Sequence, residues 1–84
     1  MTYAIKINRF NNITNELIEE NANLRKSNSY DNILNYFVKL IDKERNVNLD
    51  ERKEISIVNI EKNTTYLKNI IYGDSYGKKY KIKK

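Results

Sequence analysis

The chain has no cysteine, no proline and no histidine, and only two glycines among its 84 residues. Without cysteine there is no disulfide staple and no thiolate metal site. Losing both histidine and cysteine removes the commonest general base and the commonest soft nucleophile. Apolar runs are short, and none nears the roughly 20 residues of a membrane span. Residues 1–10 have neither the cationic start nor the long apolar stretch of a secretion signal. The expectation is a soluble cytoplasmic protein with no membrane contact and no cofactor. A phosphate-cradling loop is also excluded, because Gly73 and Gly77 stand four apart with no helix expected behind them. Asp74 and Ser75 read as turn residues, with no base marked to activate the serine. Asp50, Glu51 and Glu54 are interleaved with Arg52 and Lys53, which reads as a self-neutralising face rather than a cation site. No catalytic residue and no metal ligand is therefore assigned, and the chain is expected not to be an enzyme.

What is present is charge, unevenly placed. The chain carries 16 Lys plus Arg against 11 Asp plus Glu. Lys78, Lys79, Lys81, Lys83 and Lys84 account for the whole excess, so residues 1–77 are neutral. Positive charge gathered at one end attracts polyanions or an acidic partner surface. Asn, Lys, Ile and Tyr are abundant, the bias of an AT-rich genome such as those of low-GC bacteria, their phages and plasmids. Eighty-four residues are expected to make one domain, residues 1–84, with a modest core that dimerisation would enlarge.

The pattern along the chain predicts the order β-α-α-β-β-β. Thr2–Asn8 alternates as a strand, with Tyr3, Ile5 and Ile7 on one side and Ala4, Lys6 and Asn8 on the other. Asn12 can cap a helix running to about Lys26, with Ile13, Leu17 and Leu24 on one face. Glu16, Glu19 and Glu20 near its start and Arg25 and Lys26 near its end would suit the helix dipole. Ser29 can cap a second helix to about Arg45, striped by Tyr30, Ile33, Leu34, Phe37, Leu40 and Ile41. Its opposite face carries Asn32, Asn35, Lys39, Asp42 and Lys43. Leu49–Glu54 reads as one short helical turn. Ile55–Glu61 is strand-like from its β-branched residues, with a helix over 49–62 as the rival. Glu61–Thr64 reads as a turn and Thr65–Tyr72 as a strand. A second turn at Gly73–Gly77 and a strand at Lys79–Lys83 would complete a basic C-terminal hairpin. The fold class expected is α+β: two helices packed on a small, mainly antiparallel sheet.

Two groups of residues point to nucleic acid. In the C-terminal hairpin, Tyr72, Tyr76 and Tyr80 interleave with Lys78, Lys79, Lys81, Lys83 and Lys84, with Tyr76 expected to be exposed and Tyr80 and Ile82 to face the core. Lysines neutralise phosphates and tyrosines stack on bases, although lysines on an edge strand also serve simply to prevent aggregation. The second group lies in residues 2–45. The strand Thr-Tyr-Ala-Ile-Lys-Ile-Asn, the helix from Ile13 and the Ser29-Tyr-Asp-Asn-Ile-Leu opening weakly resemble the ribbon-helix-helix family of DNA-binding repressors. That resemblance implies a first strand paired across a dimer and laid in the major groove. Lys6 and Asn8, with Ala4, would face the bases, and Asn28 and Ser29 would lie near a phosphate. The alternative for Thr2–Asn8 is an ordinary strand of a sheet formed with residues 55–83.

The expected role is a non-enzymatic nucleic-acid-binding regulatory or accessory protein, with DNA ahead of RNA as partner and a homodimer compatible with its size. The alternative is a small phage or mobile-element inhibitor or adaptor that blocks a host protein. A patch in which Lys6, Arg9, Arg25 or Lys39 joined the terminal lysines would favour nucleic acid.

Overall fold

The structure is a computed structural model that describes residues 1–73. Four strands and one helix follow one another as β1 (Tyr3–Asn11), β2 (Leu17–Ser27), α1 (Tyr30–Lys43), β3 (Glu51–Asn59) and β4 (Thr64–Tyr72). They form one antiparallel sheet in the order β2-β1-β3-β4. The expected two helices on a sheet are thus corrected to one helix on four strands. The final expected strand, Lys79–Lys83, and the turn before it lie outside the described residues, apart from Gly73.

The strand alternation of the first residues survives intact. Ile5 and Ile7 point to the helix side and join Ile55 and Ile57 of β3 under Ile33, Phe37 and Leu40 of α1. The stripe at spacings of three and four is what gives α1 its buried face. Ser29 caps that helix as expected, its hydroxyl accepting the Asn32 N–H at 3.3 Å. β3 is a strand, as its β-branched residues indicate, and it begins at Glu51 instead of Ile55. The expected helical turn at Leu49–Glu54 is replaced by a turn at 49–50, where Asp50 adopts a φ of 62°, and by the start of β3.

The helix expected from Ile13 to Lys26 is instead a turn followed by β2. The described residues leave its apolar face uncovered: Ile13, Leu17 and Leu24 are 73%, 51% and 44% exposed. Asn15 and Asn23 sit at φ of 67° and 58°, a left-handed backbone that no α-helix tolerates in its interior. Pairing with β1 satisfies the backbone of this segment instead, and tertiary hydrogen bonding overrides a weak helical pattern. The capping chemistry read at Asn12 belongs to its neighbour. The Asn11 side chain accepts the Ile13 and Thr14 N–H groups and closes the β1–β2 turn. Glu19 and Glu20 answer Arg9 and Lys6 across the ladder rather than a helix dipole.

Among the described residues, Asn59 is the one large polar side chain sealed in this interior, fully buried at the end of β3. Its carbonyl oxygen accepts the Lys62 N–H at 3.0 Å, and its amide donates to the Tyr66 hydroxyl at 3.3 Å. It therefore shapes the β3–β4 turn from inside. Asn59→Ala is expected to cost about 1–3 kcal/mol, because the two hydrogen bonds that shape the turn are lost, each worth about 0.5–1.5 kcal/mol. Urea unfolding of the two proteins measures it, and an unchanged midpoint would refute the assignment.

Candidate nucleic-acid interface

The sheet has one covered face and one open face. Alternation sends Lys6 and Asn8 to the open side, beside Glu54 and Ser56 of β3. Lys6 is not a free cation there, since its ammonium lies 4.0 Å from Glu20. Asn8 is half-buried, and its side-chain oxygen has no hydrogen-bond partner among the described residues. β1 is hydrogen-bonded on both sides, to β2 and to β3, so neither edge remains for a strand from another chain. Of the two arrangements considered for residues 2–8, the structure shows the strand within the sheet. Asn28 accepts a hydrogen bond from the Thr2 hydroxyl at 3.4 Å, and Ser29 is occupied as the helix cap. Tyr76, Lys78, Lys79, Lys81, Lys83 and Lys84 lie outside the described residues.

Most cations of the described residues are spoken for. Arg9 reaches Glu51 at 2.8 Å and Glu19 at 3.3 Å. Its hydrogen bond to Glu51, against a smaller desolvation effect, holds its pKa above the usual arginine value. Lys53 holds Glu44 at 2.8 Å. Arg52 lies over the Phe10 ring and binds Glu54 at 2.9 Å, while Lys68 approaches the same carboxylate at 3.3 Å. Burial pushes the Glu54 carboxyl up, but the hydrogen bonds and charges of Arg52 and Lys68 outweigh it and hold the group below the usual range. A cavity of about 380 Å³ floored by Ile7 and Leu24 is walled by Arg9, Glu19, Glu44 and Lys53, so its charges cancel internally.

A second concavity differs. It has a volume of about 250 Å³ and runs between the end of β2 and the outer flank of α1. Arg25 and Lys26 line it from β2, and Asn32, Asn35, Tyr36 and Lys39 from the helix. Among the described residues, no carboxylate lines it. Two periodicities build it. On β2, Arg25 stands opposite Ile5 and so turns toward the helix, while Lys26 opposite Ala4 forms the lip. On α1, positions 32, 35, 36 and 39 fall on one stripe beside the buried one. The Arg25 guanidinium sits 4.8 Å from the Tyr36 ring centre, an arrangement that orients the charge without neutralising it. The groove thus offers three cations, two amides and a phenol: groups that bind anions and hydrogen-bond, not groups that activate a nucleophile.

Two of the four cations named from the sequence, Arg25 and Lys39, therefore meet, and Lys6 and Arg9 are withdrawn into ion pairs. Lys26, Asn32, Asn35 and Tyr36 were missed as site residues. The polar stripe on α1 is visible in the sequence, but a helix expected to run to Lys26 hides that residues 25 and 26 face different ways. Among the described residues, no group of His, Cys, Asp and Glu is placed to hold a metal ion, and no helix is long and apolar enough to cross a membrane. Comparisons with protein-family models, with characterised proteins and with solved structures give no match to this chain.

Proposed function

We propose that the protein is a non-enzymatic nucleic-acid-binding module of a regulatory or accessory kind. The observation that carries this reading is a groove with Arg25 and Lys39 in its wall and Lys26 at its lip, and with no carboxylate among the described residues that line it. Elsewhere on the described surface, cations that enter ion pairs have little to give a polyanion. In the groove, each cation can displace a counterion from a phosphate, and the release of that ion drives binding. Tyr36 and the Arg25 plane supply a flat surface on which a base or sugar can rest. The five lysines between 78 and 84 add further positive charge by sequence.

Equilibrium binding to mixed-sequence duplex DNA, single-stranded DNA and RNA across a salt series tests the reading and ranks the three. The logarithm of the affinity should fall linearly with the logarithm of salt concentration. Arg25→Gln with Lys39→Gln should reduce the magnitude of that slope by about two, one for each lost phosphate contact. Lys6→Gln should change it less, because Glu20 already holds that ammonium. No affinity at low salt, or an affinity indifferent to salt, overturns the proposal. If one host protein were then captured from a nuclease-treated lysate, the inhibitor reading would take its place.

A further inference from the structure

We infer that β2 is the self-association edge of the protein, pairing antiparallel with β2 of a second copy about a two-fold axis near Ala22. The strand is the outermost of the sheet, with β1 as its neighbour on one side and no described strand on the other. Eleven residues long, it is exposed over ten of them, and Leu17, Ile18 and Leu24 are uncovered apolar side chains on it. A long bare edge of this kind is a template for another strand unless it is blunted.

Charge selects the occupant. The first half of β2 carries Glu19 and Glu20, and the second half carries Arg25 and Lys26. Such a strand is complementary to itself in the antiparallel sense and repels itself in the parallel one. With the axis through Ala22, Glu19 stands directly opposite the second copy's Arg25. Both positions face the helix side, as their partners Arg9 and Ile5 do. Glu20 and Lys26 both turn to the open side, opposite Asn8 and Ala4, and meet one step diagonally. Two-fold symmetry repeats both contacts. The irregularity in β2 between Arg25 and Asn21, where Asn23 has its left-handed backbone, lies at the same axis. Both strands then carry it at one level, and the ladder stays in phase on either side. β4 shows no such polarity, since Lys68 is its only charged residue. A second copy also adds buried apolar area to a small core.

This pairing draws Arg25 and Lys26 into contacts with a second copy, so dimer and nucleic acid would compete for these two cations, and its test uses nuclease-treated full-length protein. Sedimentation equilibrium from about 1 μM to about 1 mM should show a dimer that weakens as salt rises. Arg25→Glu with Lys26→Glu gives an all-acidic strand, and Glu19→Lys with Glu20→Lys an all-basic one. Each variant alone should dimerise at least about tenfold more weakly. Mixed together, the two should form a one-to-one heterodimer. Hydrogen exchange of the unmodified protein gives a second measurement: the β2 amides should gain protection as concentration rises. A strictly monomeric protein, a dimer indifferent to these charges, folded variants that do not combine, or β2 amides insensitive to concentration would each overturn the inference.

Discussion

Phe37→Ala should remove about 3–5 kcal/mol, a large share of the protein's stability. Phe37 is buried at the centre of α1, in a cluster with Ile5, Ile7, Ile33, Leu40, Ile55 and Ile57. It belongs to the helix that closes this side of the sheet, so nothing behind it can collapse into the space it leaves. Removing a buried phenylalanine costs about 3–5 kcal/mol, from lost transfer energy and from the cavity. The entire stability of a domain this size is roughly 4–13 kcal/mol. The melting temperature should fall by at least about 12 °C, since each kcal/mol moves it about 4–8 °C in a domain of this size. Circular dichroism on heating reads the result directly. A shift of only a few degrees would mean that the helix packs less closely than the structure has it.

Gly73→Ala should also destabilise strongly, although it adds a single methyl group to the end of a strand. Gly73 is buried and donates its N–H to the Glu51 carbonyl at 3.0 Å, beyond the last residue of β4. A Cβ there would collide with the Asn48 carbonyl oxygen and come 3.3 Å from that of Glu51. Both obstacles are backbone, which cannot swing aside as a side chain can. The reason for glycine is close approach of two chain segments, not backbone handedness. Overpacking of this kind costs about 1–3 kcal/mol. The Asn48–Glu51 turn is tied in its turn to the β1–β2 connection, because the Asn12 N–H donates to the Asp50 carbonyl at 2.7 Å. A shift of Asn48 would therefore propagate to the β1–β2 connection at the same end of the sheet. Thermal melts of the two proteins decide the matter, and coincident curves would refute the account.

Four of the five elements could be read from residues alone. The alternation of Tyr3, Ile5 and Ile7 and the stripe of α1 behind Ser29 each carry a local period that burial enforces, while β3 and the largely exposed β4 are legible from their β-branched and aromatic residues. β2 could not, and the reason is physical. Being exposed on both faces, it is under no pressure to alternate, and its accidental spacing of Leu17 and Leu24 then mimics a helix. Its true signals are Asn15 and Asn23, which suit the left-handed backbone that Asp50 and Asn63 also adopt. The candidate groove was half legible. The polar stripe of Asn32, Asn35 and Lys39 follows from helical spacing, but the opposite wall exists only once residues 25 and 26 belong to a strand.

The central place of β1 has a kinetic consequence. β1 with β2, and β3 with β4, are hairpins closed by short connections that can form early and locally. The junction between them is different: Asn11 meets Glu51 and Tyr3 meets Asn59, with β2 and all of α1 lying between. Two quickly made halves must wait for one distant zipping event, and loop closure is paid before any contact rewards it. The speed at which this chain folds is set at that seam, where the isoleucines of its two inner strands meet.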